Sequence, residues 1–383
     1  MKRIAIIGST GSIGVQALSV IRKNFSDFRV VALAAGSNFM FISEQAQEFG
    51  VKTVCLHDYE SANKLKIKSS GLSVLSGDDG LAEISAMDID LLIVSGNGIA
   101  TVAPVYIALS RGVKVALATK EAIVCGAHIM PEGSIDDLVV PIDSEPSAIY
   151  QTLLGEDKLR IREILLTASG GPFFSKGASW SQLARVTPAE ALNHPRWNMG
   201  KKVSIDSATL VNKGMELIEI SRLFDIDPDR IRVMLHPQSI IHSGVVFIDG
   251  STKFQASPPN MKYPISYALY HPTRSMNELP GIHFPMELIM CDLSESVSRP
   301  IDLARKAIKL GPAGQIAYAS ADEWAVKAFL SGELPFHLIT EVIAKNLNLV
   351  KDTADVSSVM NTTKYYKQMY DSAGDIGRRL WRY

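Results

Sequence analysis

Cysteine is scarce in this chain. Cys55, Cys125 and Cys291 are widely spaced among 383 residues and form no CxxC pair. That excludes a disulfide framework and a cysteine-based zinc site, and it reads as small buried side chains in a reducing compartment. An excess of charge is also missing. Lys and Arg number 39 against 40 Asp and Glu, a net charge of -1. Such a balance gives no general attraction for nucleic acid or anionic lipid, so any basic site must be local. No apolar run reaches the roughly 18 residues a spanning helix needs, and the N-terminal Ile4-Ala5-Ile6-Ile7 stops at Gly8. A soluble, cytoplasmic protein with no nucleic-acid or membrane partner is expected. There is no GxSxG nucleophile elbow, no internal repeat and no low-complexity tract. His236 and His242 lack zinc-type spacing with cysteine or a metal-protease pattern, and read as structural or as support behind the site.

What is present is an alternation. Apolar, β-branched runs occur at residues 3–7, 30–33, 53–56, 91–94, 113–118 and 138–142. Helix-compatible stretches, such as 15–23 and 103–111, lie between them. Strands alternating with helices predict an α/β fold in which residues 1–145 form a Rossmann-like, doubly wound parallel sheet. From 146 to 275 the pattern becomes α+β. Residues 164–168 read as a strand, 212–223 as a helix, and Asp249-Gly250-Ser251 as a hairpin turn. Residues 276–300 suit a connecting segment. Residues 301–383 follow the helical period and predict a small C-terminal helical bundle.

The first strand runs into Gly8-Ser9-Thr10-Gly11-Ser12-Ile13-Gly14, a GxxGxxG spacing at a strand-to-helix junction. Glycines let the backbone approach a pyrophosphate, and the helix N-terminus offers free N–H groups. The alternative is a tight turn without a ligand. The second strand ends in Gly36-Ser37-Asn38, with no Asp or Glu to grip a ribose 2′-hydroxyl. A hydroxyl, an amide and backbone N–H groups there suit a 2′-phosphate, which favours NADP over NAD.

Asp143 and Glu145 stand two apart at the end of a strand, on one face of extended backbone. Two carboxylates so placed repel unless a cation lies between them, and hard divalent ions suit oxygen ligands. The alternative is an acidic helix start capped by Ser144. Farther on, Ser207, Asn212, Lys213 and Glu216 gather in one helical turn and its approach, with Asn212 and Glu216 four apart. They read as a phosphate-and-metal cradle or as a solvated face. His194-Pro195-Arg196-Trp197-Asn198-Met199-Gly200 reads as a loop with Trp197 available to cover a ligand, or as one anchored by a buried Trp.

Together the motifs GSTGSIG (8–14), ATKEA (118–122), PIDSE (141–145), LTASGGPF (166–173), HPRWNMG (194–200), SIDSATLVNKGMELIE (204–219) and LHPQSIIHS (235–243) resemble the 1-deoxy-D-xylulose 5-phosphate reductoisomerase family, in its order and over nearly the whole chain. The resemblance implies NADPH and a divalent metal, Mg²⁺ or Mn²⁺ and in some cases Co²⁺, a small phosphorylated ketose as substrate, and a homodimer. It implies Asp143, Glu145 and Glu216 as metal ligands, catalytic together with Lys120. Lys120, Ser144 and Glu145 would contact the hydroxyl end of the substrate. Ser169, His194, Ser207, Asn212 and Lys213 would hold it, mainly at its phosphate, and Trp197 and Glu216 would contact it as well. Trp197 and Met199 would belong to a closing flap. Gly8, Thr10, Gly11, Ser12, Ile13, Gly36, Ser37, Asn38, Thr119, Glu121 and Gly200 would contact the cofactor. The chain departs from the family pattern at Thr119, usually Asn, at Pro146, usually His, at Asn260 and Lys262, and across residues 319–323. A paralogue acting on another ketose phosphate, a metal-free NADP oxidoreductase and a non-catalytic NADP binder remain as rival readings.

Overall fold

The computed structural model describes residues 1–381 except 70, 175–179 and 198. The chain divides into two compact units. One contains residues 1–122, 129–143 and 261–278, and the other 123–128, 144–260 and 279–383.

The first unit carries seven parallel strands: β1 (Lys2–Ile7), β2 (Phe28–Ala35), β3 (Thr53–Leu56), β4 (Ser73–Ser76), β5 (Leu91–Val94), β6 (Lys114–Leu117) and β7 (Val139–Pro141). Their order is β4-β3-β2-β1-β5-β6-β7. Ile4, Ala5 and Ile6 of β1, and all of β5, are buried, as a central parallel strand covered on both faces requires. The chain winds outward from β1 through β4 and then restarts at β5. The order reverses between β1 and β5, and in such sheets ligands usually bind at the C-terminal strand ends beside that reversal.

Strand β4 is absent from the sequence-based expectation. It offers only Val74 and Leu75 between two serines and forms the edge of the sheet, where apolar runs are least needed. The helix Lys262–Tyr270 also joins this unit rather than the central one. It packs on the helix Ser12–Arg22, and the Tyr270 hydroxyl donates to Asp27 at 2.6 Å. The linear boundaries at 145 and 275 miss it because burial pattern does not reveal which sheet a helix covers.

The second unit holds β8 (Ile161–Ala168), β9 (Ile231–Leu235), β10 (Ile241–Phe247), β11 (Thr252–Ala256) and β12 (Cys291–Asp292), ordered β11-β10-β8-β9-β12. β8 and β9 are parallel, and the other pairs are antiparallel. The expected hairpin forms between β10 and β11, with Gly250 at φ +87 and Asp249 Oδ1 accepting from the Ser251 N–H at 2.9 Å. The helices from Arg299 to Trp381 pack into this unit together with the helix Val211–Phe224. Among the described residues no helix is long and apolar enough to cross a membrane.

Cys55 and Cys125 are buried and Cys291 is exposed. Burial, with nearby Glu83 and Asp78, pushes the Cys55 thiol up to about 12. A native titration with a disulfide reagent should therefore release one thiol quickly, from Cys291, and all three after unfolding. Rapid release of two or three from the native chain would contradict the burial described.

Candidate active site

The glycine turn is built as its spacing requires. Gly8 has φ +88, and the N–H groups of Gly8 and Ser9 donate to Ala34 O at 2.8 and 2.9 Å, tying the turn to the end of β2. A Cβ on Gly14 would lie 2.3 Å from Gly8 O, so the helix Ser12–Arg22 closes onto the turn only because residue 14 has no side chain. Gly11 precedes that helix and caps it with no side chain, leaving backbone around Thr10, Ser12 and Ile13 for an anionic ligand. Sequence reasoning missed one supporting residue. Gln45, buried on the helix Phe39–Phe49, accepts from Ser9 Oγ at 2.8 Å and donates to Ser9 O at 2.9 Å. Its trace in the sequence is a polar side chain on the same stripe as Ile42 and Ala46.

At the Gly36-Ser37-Asn38 turn, the Asn38 Oδ1 accepts from Phe41 N at 3.2 Å and so caps the following helix. Only the donor half of that amide remains for a 2′-phosphate. Thr119 Oγ1 donates to Glu121 Oε2 at 3.0 Å, and both are buried. Lys120 Nζ lies 2.7 Å from Asp143 Oδ2.

The second unit supplies the other carboxylates. Ser144 opens the helix Ser144–Thr152, and its Oγ donates to Glu145 Oε2 at 2.5 Å. Pro146 falls in the first turn, where a missing N–H breaks no helical bond. On the helix Val211–Phe224, Lys213 Nζ bridges Glu145 Oε1 and Glu216 Oε2, the latter at 2.5 Å, while Asn212 Nδ2 donates to Glu216 Oε1. Leu210 starts this helix at φ 61 while fully buried, a left-handed conformation costing about 1–2 kcal/mol and held by its surroundings.

Burial alone would raise the Glu145 carboxyl and lower Lys213. The charges of Lys213 on one side, and of Glu145 and Glu216 on the other, outweigh it. Glu145 is held below the usual carboxylate range and Lys213 above the usual amine range.

Asp143 is peptide-bonded to Ser144, so its carboxylate is carried beside Glu145. One oxygen each of Asp143, Glu145 and Glu216 lies within 4.8 Å of the others. The Asp143 Oδ2 is buried and makes no hydrogen bond of acceptable geometry, although the Lys120 ammonium is near. Three acids against two lysines leave a net negative, oxygen-rich group, which fits a hard divalent cation.

A second group forms beside it. Trp197 N and Arg196 N donate to His194 Nδ1 at 2.9 and 3.1 Å, so the imidazole proton sits on Nε2, 3.1 Å from Ser169 Oγ. Ser169 Oγ also accepts from Gly171 N at 3.2 Å. With both contacts made as donors to it, the serine hydroxyl proton is left for a ligand. Burial, and then the charge of Lys213, push His194 down to about 4. Ser207 joins this group through its backbone: a Cβ on Gly171 would come within 2.9 Å of Ser207 O. Trp197 lies with its ring 6.2 Å from that of His242. Asn198 is outside the described residues, and Met199 and Gly200 precede the helix Lys201–Thr209.

That helix is itself pinned. Lys202 Nζ reaches Asp206 at 2.7 Å and Asp322 at 2.6 Å, both carboxylates being buried. The sequence hint was Asp322, an acidic residue on the largely apolar helix Gly311–Leu330. Of the other two histidines noted in the sequence, His236 Nε2 accepts from the N–H groups of Ile240 and Ile241, and His242 bonds Ser257.

His194 sets a pH expectation. Its folded value of about 4 lies below the ordinary 6.5, so the unfolded chain takes up the proton first as pH falls. This contribution is intact above pH 6.5 and is lost between 6.5 and 4. Chemical unfolding at stepped pH should show wild type losing more stability across that window than His194→Gln. Parallel curves would contradict a half-buried neutral imidazole.

A nucleotide-type parallel sheet, followed within two residues of its last strand by clustered carboxylates, defines a nucleotide- and cation-using enzyme. Family models agree along the chain. Residues 4–127 match 1-deoxy-D-xylulose 5-phosphate reductoisomerase, 139–224 its C-terminal domain, and 256–369 the DXP reductoisomerase C-terminal domain. The chain belongs to the 1-deoxy-D-xylulose 5-phosphate reductoisomerase family. A curated relative of that name from Thermoanaerobacter pseudethanolicus is 42% identical over 380 residues, covering 96% of this chain and 98% of its own. A crystal structure of DOX-P reductoisomerase with NADPH, fosmidomycin and magnesium superposes with a TM-score of 0.91 at 32% identity, covering 99% of each chain. The Zymomonas mobilis enzyme in complex with NADPH gives 0.87 at 31%, also over 99% of each.

Proposed function

We propose that this chain converts 1-deoxy-D-xylulose 5-phosphate and NADPH to 2-C-methyl-D-erythritol 4-phosphate, with Asp143, Glu145 and Glu216 as the ligands of one divalent ion. The observation that carries the residue assignment is the approach of those three carboxylates to within 4.8 Å. When bound, the ion supplies Lewis-acid polarisation of the substrate ketone and its neighbouring hydroxyl, and NADPH supplies the hydride.

The chain's own residues do the rest. Lys120, held at Asp143, moves a proton or steadies charge at the substrate oxygens during the carbon-skeleton rearrangement. Ser144 orients Glu145 and reaches the same end of the substrate. Ser169, neutral His194, Ser207, Asn212 and Lys213 grip the phosphate, and this remote binding energy holds the fragments of a retro-aldol step in register. Trp197 and Met199 cover the site and exclude water. Gly8, Thr10, Gly11, Ser12, Ile13, Gly36, Ser37, Asn38, Thr119, Glu121 and Gly200 bind NADPH. A homodimer is the assembly implied by the family, and cysteines that form no disulfide suit a reducing cytoplasm.

The test is loss of the reduced-nicotinamide absorbance on adding 1-deoxy-D-xylulose 5-phosphate, with and without EDTA, and mass identification of the product. Turnover that stops with chelator and returns with Mn²⁺ or Mg²⁺ is expected. Turnover indifferent to EDTA would replace this reading with a metal-free oxidoreductase.

A further inference from the structure

All four carboxylate oxygens of Glu145 and Glu216 already have donors. Glu145 Oε2 takes the Ser144 hydroxyl and Oε1 the Lys213 ammonium, while Glu216 Oε2 takes the same ammonium and Oε1 the Asn212 amide. Lys213 is the only one of these donors with a charge, and it sits directly between two of the three proposed ligands. A divalent ion held by those acids would face a buried ammonium on the same oxygens.

We infer that Lys213 is an exchangeable counter-ion, which occupies the carboxylate pair until the metal takes its place and then turns to the anionic group of the substrate. This rests on the metal-site reading above.

Three features support it. Lys213 is 7% exposed, so once displaced it cannot simply enter water and needs another anion. Its charge already acts on His194, whose Nε2 lies 3.1 Å from Ser169 Oγ. The charge count alternates: three acids with Lys120 and Lys213 carry -1 before a divalent ion enters, +1 after it, and -1 again with a phosphate dianion. Each ligand therefore prepares the charge the next one needs. Metal and anion binding should be mutually favourable, with Lys213 as the coupling element.

The test is Mn²⁺ binding to the full chain, by calorimetry and by the loss of free-ion EPR signal, with and without inorganic phosphate as the anion. Wild type should bind Mn²⁺ about tenfold more tightly in the presence of saturating phosphate, within the usual range of such couplings. Lys213→Met should bind Mn²⁺ more tightly than wild type without phosphate and show no phosphate effect. Lys213→Arg should keep the coupling. Because Lys213→Met leaves the half-buried Glu145 facing the buried Glu216, its thermal midpoint is followed as well, and Mn²⁺ should raise it more than it raises that of wild type. Equal phosphate coupling in wild type and Lys213→Met, or weaker Mn²⁺ binding in that variant, would overturn the exchange while leaving the metal site intact. Wild type taking up no Mn²⁺ would overturn both.

Discussion

Glu216→Gln is expected to lower kcat by at least about 10³, some 4 kcal/mol of transition-state stabilisation. The side chain is 1% exposed, and both oxygens accept, one from Asn212 Nδ2 and one from Lys213 Nζ. Glutamine has nearly the same shape but only one acceptor, so its NH₂ group must face one of these donors in either orientation. The substitution also removes one of the three charges offered to the ion. The loss should therefore appear in kcat at saturating metal, with the required metal concentration raised as well. Circular dichroism and an unfolding curve check that the helix Val211–Phe224 is retained. Near-normal rates at limiting metal would remove Glu216 from the ligand set.

Gly8→Ala is the second large effect, and it falls on the cofactor. A Cβ at residue 8 would lie 2.5 Å from both the carbonyl carbon and oxygen of Ser95 and 2.6 Å from Gly96 N, all backbone atoms with no rotamer to yield. The φ of +88 adds strain for any side chain. Conformation and overpacking together cost roughly 2–5 kcal/mol. Relief would require β1 and the chain leaving β5 to part, moving the turn that receives the nucleotide. A lower unfolding midpoint is expected, with NADPH affinity, followed by fluorescence titration, reduced by at least about tenfold, or 1.4 kcal/mol. Unchanged stability and affinity would mean that the turn does not need its glycine.

Where burial is two-sided, the sequence was a good guide. Six of the seven parallel strands announce themselves as apolar runs because both faces are covered, and the edge strand β4 does not because its serines cost nothing there. The helix Lys262–Tyr270 looks like any half-apolar helix, and its membership in the first unit is settled by the Tyr270 bond to Asp27, invisible at a separation of 243 residues. At the site, the residue types and their helical spacing were legible, as the Asn212 to Glu216 bond shows. Partner choice was less so. Asn38, read as a 2′-phosphate contact, also caps a helix with its amide oxygen, and Lys213, read as a phosphate contact, lies between two acids. Such outcomes depend on which charges fold next to each other, which linear spacing does not state.

Anomalous scattering from crystals grown with Mn²⁺ and without substrate bears most directly on the three-carboxylate site. One strong peak per chain is predicted, within coordination distance of Asp143, Glu145 and Glu216 together, with the Lys213 ammonium displaced from the acids it bridges here. No peak at saturating Mn²⁺, or a peak held by other side chains with these three left apart, would contradict the assignment.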